Sequence, residues 1–323
     1  MSAFSCLRPL PALGVAPPSH LFNPHPMSWT SPHGTLLPDW RKRTLIMGIM
    51  NLAPDSFSDG GQLNDEAAAL TRAETLLSEG ADVLDLGAES TRPGATPVDA
   101  ATELARLLPT VRALRRRFPH AALSIDTYKP EVARACVEAG ADLINDVEGG
   151  RFQARPDESP MGLVCAQLRC PLILMHRRTQ ADYKDFWAEV LTDLRDSLRR
   201  AQAAGMPPQQ LWTDPGFGFG KTPAQNLALV RDLSKIAALG FPVLLGTSRK
   251  STLGLVLGET DPLRRGVGND ATAVWGVAQG AAMIRVHEVA SLRPVLRMAD
   301  ALRRGEGWEP QTPGAPLKPD FRP

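Results

Sequence analysis

Residues 121–147 read AALSIDTYKPEVARACVEAGADLINDV. A short aliphatic run at 121–126 ends in Asp126, an amphipathic segment with Pro130 near its start covers 129–139, Gly140 and Ala141 follow, and a second apolar run fills 142–147. Short apolar runs of this kind predict strands, and the amphipathic segment predicts a helix. A Pro at the start and a Gly just past the end are the expected punctuation of that helix. Two parallel strands require a crossover, so the stretch reads as one strand–helix–strand unit of a parallel sheet.

The same unit recurs on both sides. Strands are predicted at 44–50, 82–87, 121–126, 142–147, 171–176, 211–214, 242–246 and 281–286. Helices are predicted at 64–79, 97–117, 129–139, 158–168, 184–204, 223–238, 270–280 and 288–303. Gly-Ala pairs at 80–81 and 280–281 repeat the turn at 140–141. Strict alternation of eight strands with eight helices predicts a single-domain α/β fold, the (β/α)8 or TIM barrel, over 41–304. The alternative, an open doubly wound sheet, usually carries a Gly-rich phosphate loop after its first strand. No such loop follows residue 50. The flanks differ in composition. Residues 1–40 are Pro-rich and poor in acidic groups, which predicts a loosely packed extension, and 305–323 is a Pro/Gly-rich tail.

A (β/α)8 barrel places its active site where the strands end. Read in that way, the strand ends carry Asn51; Glu89, Thr91 and Arg92; Asp126; Asn145 and Asp146; Met175, His176 and Arg177; Asp214, Phe217 and Phe219; Ser248, Arg249 and Lys250; and Arg285 and His287. Any one of these Asp or Asn residues is as well explained by helix capping. Their joint occurrence at all eight ends points to a site. Asp126, Asn145 and Asp214 suit a flat heterocycle with N–H groups, because a carboxylate pairs with an amidine-like edge. Arg92, Lys250, Arg285 and His287 suit a phosphate or carboxylate. Asn51 offers a neutral oxygen that Mg2+ could use alongside phosphate oxygens.

Other features carry less. The net charge of +1 gives no reason to expect nucleic acid or an anionic membrane as partner. No apolar run is long enough for a membrane span, no secretory signal is evident, and the four cysteines form no CxxC pair, so a cytoplasmic location with buried thiols is expected. Cys165, Cys170 and His176 lack the spacing of a zinc set. GFGFGKT at 216–222 imitates a nucleotide phosphate loop, but Gly216 and Gly220 are too close together for that pattern. The arginines of 106–117, Arg115, Arg116 and Arg117 among them, are expected on a solvated helix face. Trp40, Trp187, Trp212, Trp275 and Trp308 are expected to pack.

The segments IMGIMNLAPDSFSDGG (46–61), GAESTRPGA (87–95), SIDTYKPEVA, INDVEGG, LILMH, DPGFGFGKTPAQN, LLGTSRKS and IRVHEV resemble, in order, the signatures of the dihydropteroate synthase family. The likeness covers roughly 44–303 and is most specific in DPGFGFGK and SRKS. It implies condensation of a pterin diphosphate with 4-aminobenzoate (p-aminobenzoate), with Mg2+ as cofactor and a homodimer as the assembly. It implies pterin contacts from Asp126, Asn145, Asp214 and Lys250 in a pocket lined by Val147, Met175, Phe219 and Gly246. It implies a diphosphate and Mg2+ end at Asn51, Thr91, Arg285 and His287, and a p-aminobenzoate pocket of Phe57, Thr91, Arg92, Pro93, Ser248 and Lys250. Asp126, Lys250 and Arg92 are the residues expected to carry catalysis. The segments 51–63 and 90–97 resemble the family's two mobile loops. Ala53, Glu148, the RRTQADY run after His176 and RRGVGNDATA at 264–273 depart from the usual pattern. Two other functions share the pterin-contacting set. A pterin-dependent methyltransferase would have no use for STRPG and SRKS, and a pterin-binding relative without turnover predicts binding but no product.

Overall fold

In the computed structural model, residues 29–35, 39–52, 62–89 and 96–305 are described. The strands β1 (Leu45–Asn51), β2 (Val83–Gly87), β3 (Ala122–Asp126), β4 (Leu143–Asp146), β5 (Leu172–Met175), β6 (Leu211–Asp214), β7 (Val243–Leu245) and β8 (Ala281–Val286) pair in sequence order. Every pairing is parallel, and β1 also pairs with β8, which closes the barrel. The helices are α1 (Gln62–Glu79), α2 (Ala100–Arg117), α3 (Pro130–Glu138), α4 (Pro160–Leu168), α5 (Phe186–Ala203), α6 (Pro223–Arg231), α7 (Ser234–Ala237), α8 (Ser251–Leu257), α9 (Gly266–Ala278) and α10 (Val289–Arg304). The (β/α)8 expectation holds. Gly80, Gly140 and Gly280 each take φ above +100° at the turn from helix to strand, which only glycine adopts without strain.

The helical boundaries differ from expectation in two places. The predicted helix over 223–238 is two, α6 and α7, because Asp232 leaves the helical conformation and its carboxylate binds Arg231. The short α8 precedes α9, and its apolar STLGLVL carries no capping side chain to announce it.

Alternation along each strand sorts the side chains into two cores. Ile46, Leu84, Leu123, Ile144, Leu172 and Leu211 face the helices. Leu45, Val83, Ala122, Leu143, Ile173 and Trp212 face inward and fill the lower half of the barrel. Two residues further along the strands, the inward positions become polar.

The barrel floor is covered from below. Trp29 is buried, with its ring 4.6 Å from that of Trp212, and Trp40 packs on Trp212 edge-on at 6.1 Å. Gln210 donates to Thr30 Oγ1 at 2.7 Å, Ser31 donates to the Asp142 carboxylate, and His33 pairs with the Val137 carbonyl at 2.8 Å. The described part of the 1–40 extension is thus tied to the barrel, because two aromatic rings bury area that a Pro-rich tail otherwise lacks. Arg115 also departs from expectation. It leaves the solvated face of α2 to bind Asp142 at 2.5 Å and the Gly140 carbonyl at 2.7 Å. Trp275 is half exposed and donates to the Arg231 carbonyl, so it is not a core residue. Trp308 lies outside the described residues. Cys136, Cys165 and Cys170 are buried free thiols, as expected. No described helix is long and apolar enough to cross a membrane.

Candidate active site

The polar upper tier is set by strand register. Asp126 of β3 is the Cα partner of Asn145 of β4, and Met175 of β5 is the partner of Asp214 of β6. Gly87, the partner of Asp126 on β2, carries no side chain to crowd it. Arg285 of β8 reaches across the barrel. It donates to Asp85 at 2.6 Å and to Asp126 at 2.7 Å. Asn145 donates to the same Asp85 oxygen at 3.4 Å. One guanidinium thereby bridges two carboxylates, whose second oxygens, Asp85 Oδ1 and Asp126 Oδ1, have no donor from the protein. Asn145 Oδ1 and Ser124 Oγ are in the same condition. Buried acceptors without a donor cost about 1–3 kcal/mol each, so a ligand rich in N–H groups would be strongly favoured here.

Burial dominates the electrostatics. It raises the Asp126 pKa to about 7, with Arg285 opposing and Asp85 assisting the rise. Burial also raises Asp214, against the pull of Lys250. It lowers Lys250 to about 8, while Asp214 holds the ammonium form. For Arg285 burial works against the charge, and Asp85 and Asp126 together outweigh it. Perturbed groups gathered in one recess are a mark of functional sites.

The wall opposite Asp126 comes from β6 and β7. Lys250 donates to the Phe217 carbonyl at 2.6 Å and lies 4.9 Å from the centre of the Phe219 ring. Val147 and Met175 are buried, and Gly246 brings the chain against the Arg285 stem, where a Cβ would stand 3.6 Å from Arg285 Cβ. Ser248 Oγ and His287 Nδ1 pair at 2.9 Å. Asn51 ends β1 with its side chain exposed.

The structure brings together Asp126, Asn145, Met175, Asp214, Phe219, Lys250 and Arg285. Arg285, expected at a phosphate end with His287, is bonded to Asp85 and Asp126. Two other strand-end residues do not face the recess. His176 is buried and turned to Asp193 on α5 at 3.1 Å, and burial pushes its pKa down to about 4. Asp146 is turned to its own loop, where it accepts from Glu148 N and Gly150 N. Arg177 pairs with Glu148 at 2.6 Å, so two departures from the family pattern are partners, and its guanidinium stands 5.8 Å from the Phe219 ring. Phe57, Thr91, Arg92, Pro93 and Ala53 lie outside the described residues. Asp85 went unnoticed in the sequence because it sits within a strand; the signal was an acidic residue in an otherwise apolar run.

Among the described residues no group of three or more His, Cys, Asp or Glu could hold a metal. Mg2+ often binds through one or two protein oxygens and substrate phosphates, and the exposed Asn51 amide fits that mode.

The family model described as "pterin binding enzyme" matches residues 47–287. The dihydropteroate synthase of Synechocystis sp. is 42% identical over 280 residues, covering 84% of this chain and 95% of that protein. The Xanthomonas albilineans dihydropteroate synthase solved with 4-aminobenzoic acid superposes with a TM-score of 0.77 at 42% identity, covering 85% of this chain and 99% of that one. The same organism's enzyme in complex with 7,8-dihydropteroate gives a TM-score of 0.75 at 39% identity, covering 84% and 97%. A closed eight-stranded barrel with carboxylates at its mouth, matched over most of its length by these proteins, shows that the chain belongs to the pterin-binding enzyme family, among the dihydropteroate synthases.

Proposed function

We propose that the barrel condenses (7,8-dihydropterin-6-yl)methyl diphosphate with 4-aminobenzoate, giving 7,8-dihydropteroate and diphosphate. The observation that carries the reading is the set of buried acceptors at Asp126 Oδ1 and Asn145 Oδ1, on paired strand ends of the barrel that also carries Asp214 at the end of β6. A pterin presents N–H and NH2 groups along one edge, which these atoms would accept. Phe219, Met175 and Val147 would cover its faces, and Lys250 would close the rim.

In the reaction the arylamine nitrogen forms a bond to the pterin methylene. The C–O bond to diphosphate breaks, with its electron pair leaving on oxygen, and the amine proton passes to solvent. The arylamine arrives neutral, so positioning and charge stabilisation carry the rate. Asp126, ionised, would stabilise the positive charge that develops on the pterin. Arg285 and His287 would meet the leaving diphosphate, which requires Arg285 to exchange its bond to Asp126 for phosphate oxygen. Asn51 and Thr91 would complete that end. Mg2+ bound at Asn51 would supply charge neutralisation of the leaving group. Phe57, Thr91, Arg92, Pro93, Ser248 and Lys250 would form the p-aminobenzoate pocket.

The test is diphosphate release from the pterin substrate with Mg2+, with and without p-aminobenzoate. Release that depends on p-aminobenzoate, with dihydropteroate as product, supports the reading. Pterin binding without that dependence would reassign the chain to a binding role, and EDTA should abolish release if Mg2+ is required.

The homodimer is proposed on the apolar face formed by α8, α9 and the turn between them. There Leu255, Val256, Leu263 and Val267 are more than 60% exposed and Trp275 is 50% exposed. Such a face marks an interface, and Val267→Glu should give monomers in sedimentation. A cytoplasmic location is proposed from the buried free thiols.

A further inference from the structure

Within the segment 216–222, Lys221 plays no part in the chemistry set out above, yet it is tightly engaged. Lys221 Nζ donates to three main-chain carbonyls, Phe219 at 2.9 Å, Gly216 at 3.0 Å and His176 at 3.3 Å. All three donors of an ammonium group are thereby used. Two acceptors belong to the loop after β6, and the third follows the end of β5. The two chains are pressed together, backbone on backbone. A Cβ on Gly216 would lie 1.8 Å from the His176 carbonyl oxygen, and one on Gly220 would lie 2.1 Å from that of Arg178. Tyr183 adds a hydrogen bond to the Gly220 carbonyl at 3.0 Å. Convergent carbonyls repel one another unless a donor-rich cation stands between them.

The other edge of this loop faces the recess. Gly216 N donates to Asp214 Oδ1 at 2.7 Å, the Phe217 carbonyl accepts from Lys250, and Gly218 lies against the Lys250 stem, where a Cβ would come within 3.2 Å of Lys250 Cδ. The aim of Asp214, Phe219 and Lys250 therefore depends on where residues 215–220 are held. The Walker-like spelling conceals the opposite chemistry, since the lysine binds protein carbonyls and has no donor left for a phosphate.

We infer that Lys221 is a positioning residue of the pterin pocket, its ammonium clamping the 215–220 loop onto the chain after β5 and so orienting Asp214, Phe219 and Lys250. The inference rests on the pterin-binding reading given above. Of the groups it orients, Asp214 and Phe219 serve the pterin, and Lys250 is shared with the p-aminobenzoate pocket.

Two variants of the full chain test it. Lys221→Met keeps the length of the side chain and removes the donors. Lys221→Cys in a Cys6→Ser background permits chemical rescue, because Lys221 is partly exposed whereas Cys136, Cys165 and Cys170 are buried. Alkylation with 2-bromoethylamine restores an ammonium at nearly the original reach, and alkylation with iodoacetamide gives a neutral amide. The affinity for 6-hydroxymethyl-7,8-dihydropterin, which has no diphosphate, is measured by calorimetry, with wild-type protein treated by both reagents as control. Lys221→Met should bind the pterin about tenfold more weakly, with KM for the pterin substrate raised and KM for p-aminobenzoate raised by a smaller factor, through Lys250 alone. The aminoethylated variant should recover to within about threefold of wild type, and the amide should not. Equal recovery by both reagents, or unchanged pterin affinity in Lys221→Met, would overturn the clamp. Wild-type protein that binds no dihydropterin would instead overturn the functional reading.

Discussion

The Asp126 carboxyl, with a pKa raised to about 7, sets a pH dependence that can be worked through in advance. Only the ionised form can stabilise positive charge on the pterin. The rise comes first from burial, with Arg285 opposing and Asp85 assisting. A group with that pKa is about one-tenth ionised one pH unit lower and about one-hundredth ionised two units lower. The ratio kcat/KM reports the free enzyme, so it should climb about tenfold per unit between about pH 5 and pH 6, bend near about 7 and level off above about 8. Asp126→Asn is a neutral isostere of the protonated acid. Its kcat/KM should lie about 100-fold to 1000-fold below wild type on the plateau, should show no acid limb, and should approach the wild-type curve at the low-pH end. The assay is initial-rate diphosphate release at saturating p-aminobenzoate over that range. Protonation of the substrate diphosphate is common to both proteins and cancels in their ratio. A variant curve that keeps the wild-type acid limb would refute the assignment, since the titrating group would then lie elsewhere.

Asp85→Asn removes a negative charge that pushes Asp126 up, so the same limb should move to lower pH, and unfolding free energy should fall by about 1.5–3 kcal/mol for the charged hydrogen bond to Arg285. An unmoved limb would separate Asp85 from the site. Trp29→Ala should cost about 3–5 kcal/mol of burial, partly offset by about 1–3 kcal/mol because its indole N–H is buried without an acceptor. The net loss of about 2 kcal/mol should lower Tm by about 3 °C in a chain of this length, with pterin affinity unchanged because the residue lies at the opposite end of the barrel; an unaltered Tm would mean the floor contact is not formed. Gly216→Ala combines φ of +69° with a Cβ only 1.8 Å from the His176 carbonyl oxygen, so calorimetry should show pterin affinity reduced by about tenfold or more. Wild-type affinity there would show that the loop is not held against the β5 end.

Much of this arrangement could be read before any coordinates. The strand–helix period, the Gly-Ala turns and the polar strand ends are local signals; the eight strands and the turns formed as read, while the helix over 223–238 divided in two and Asp146 and His176 turned away from the recess. Asp126, Asn145 and Asp214 were legible because a strand end is a position with a known direction. Asp85 was not, because a mid-strand acid has no meaning until Arg285, 200 residues away, is seen to meet it. His176 misled for a related reason. Its place at a strand end is the same as that of Met175, but successive residues point to opposite faces, and one step of register sends it to Asp193 behind the barrel. For Lys221 the sequence excluded a phosphate-loop role and offered no other, and only its three carbonyl partners reveal its task. Trp29 could not be placed from a Pro-rich context, since its partner Trp212 is supplied by a strand on the other side of the sequence.

The floor formed by Trp29, Trp40 and Trp212 makes the barrel a blind well with one opening. Traffic through such a well is ordered by depth. A pterin seated on Asp126 and Asn145 sits above the buried Asp85 and Ser124, which rest on the aliphatic layer, and nothing can leave from beneath it. Diphosphate, nearer the rim, can depart while the pterin stays, but the joined product must retrace the path by which its pterin half arrived. The reactant that goes in first is therefore the part that comes out last, and slow release of product would follow from the closed floor without any slow chemical step.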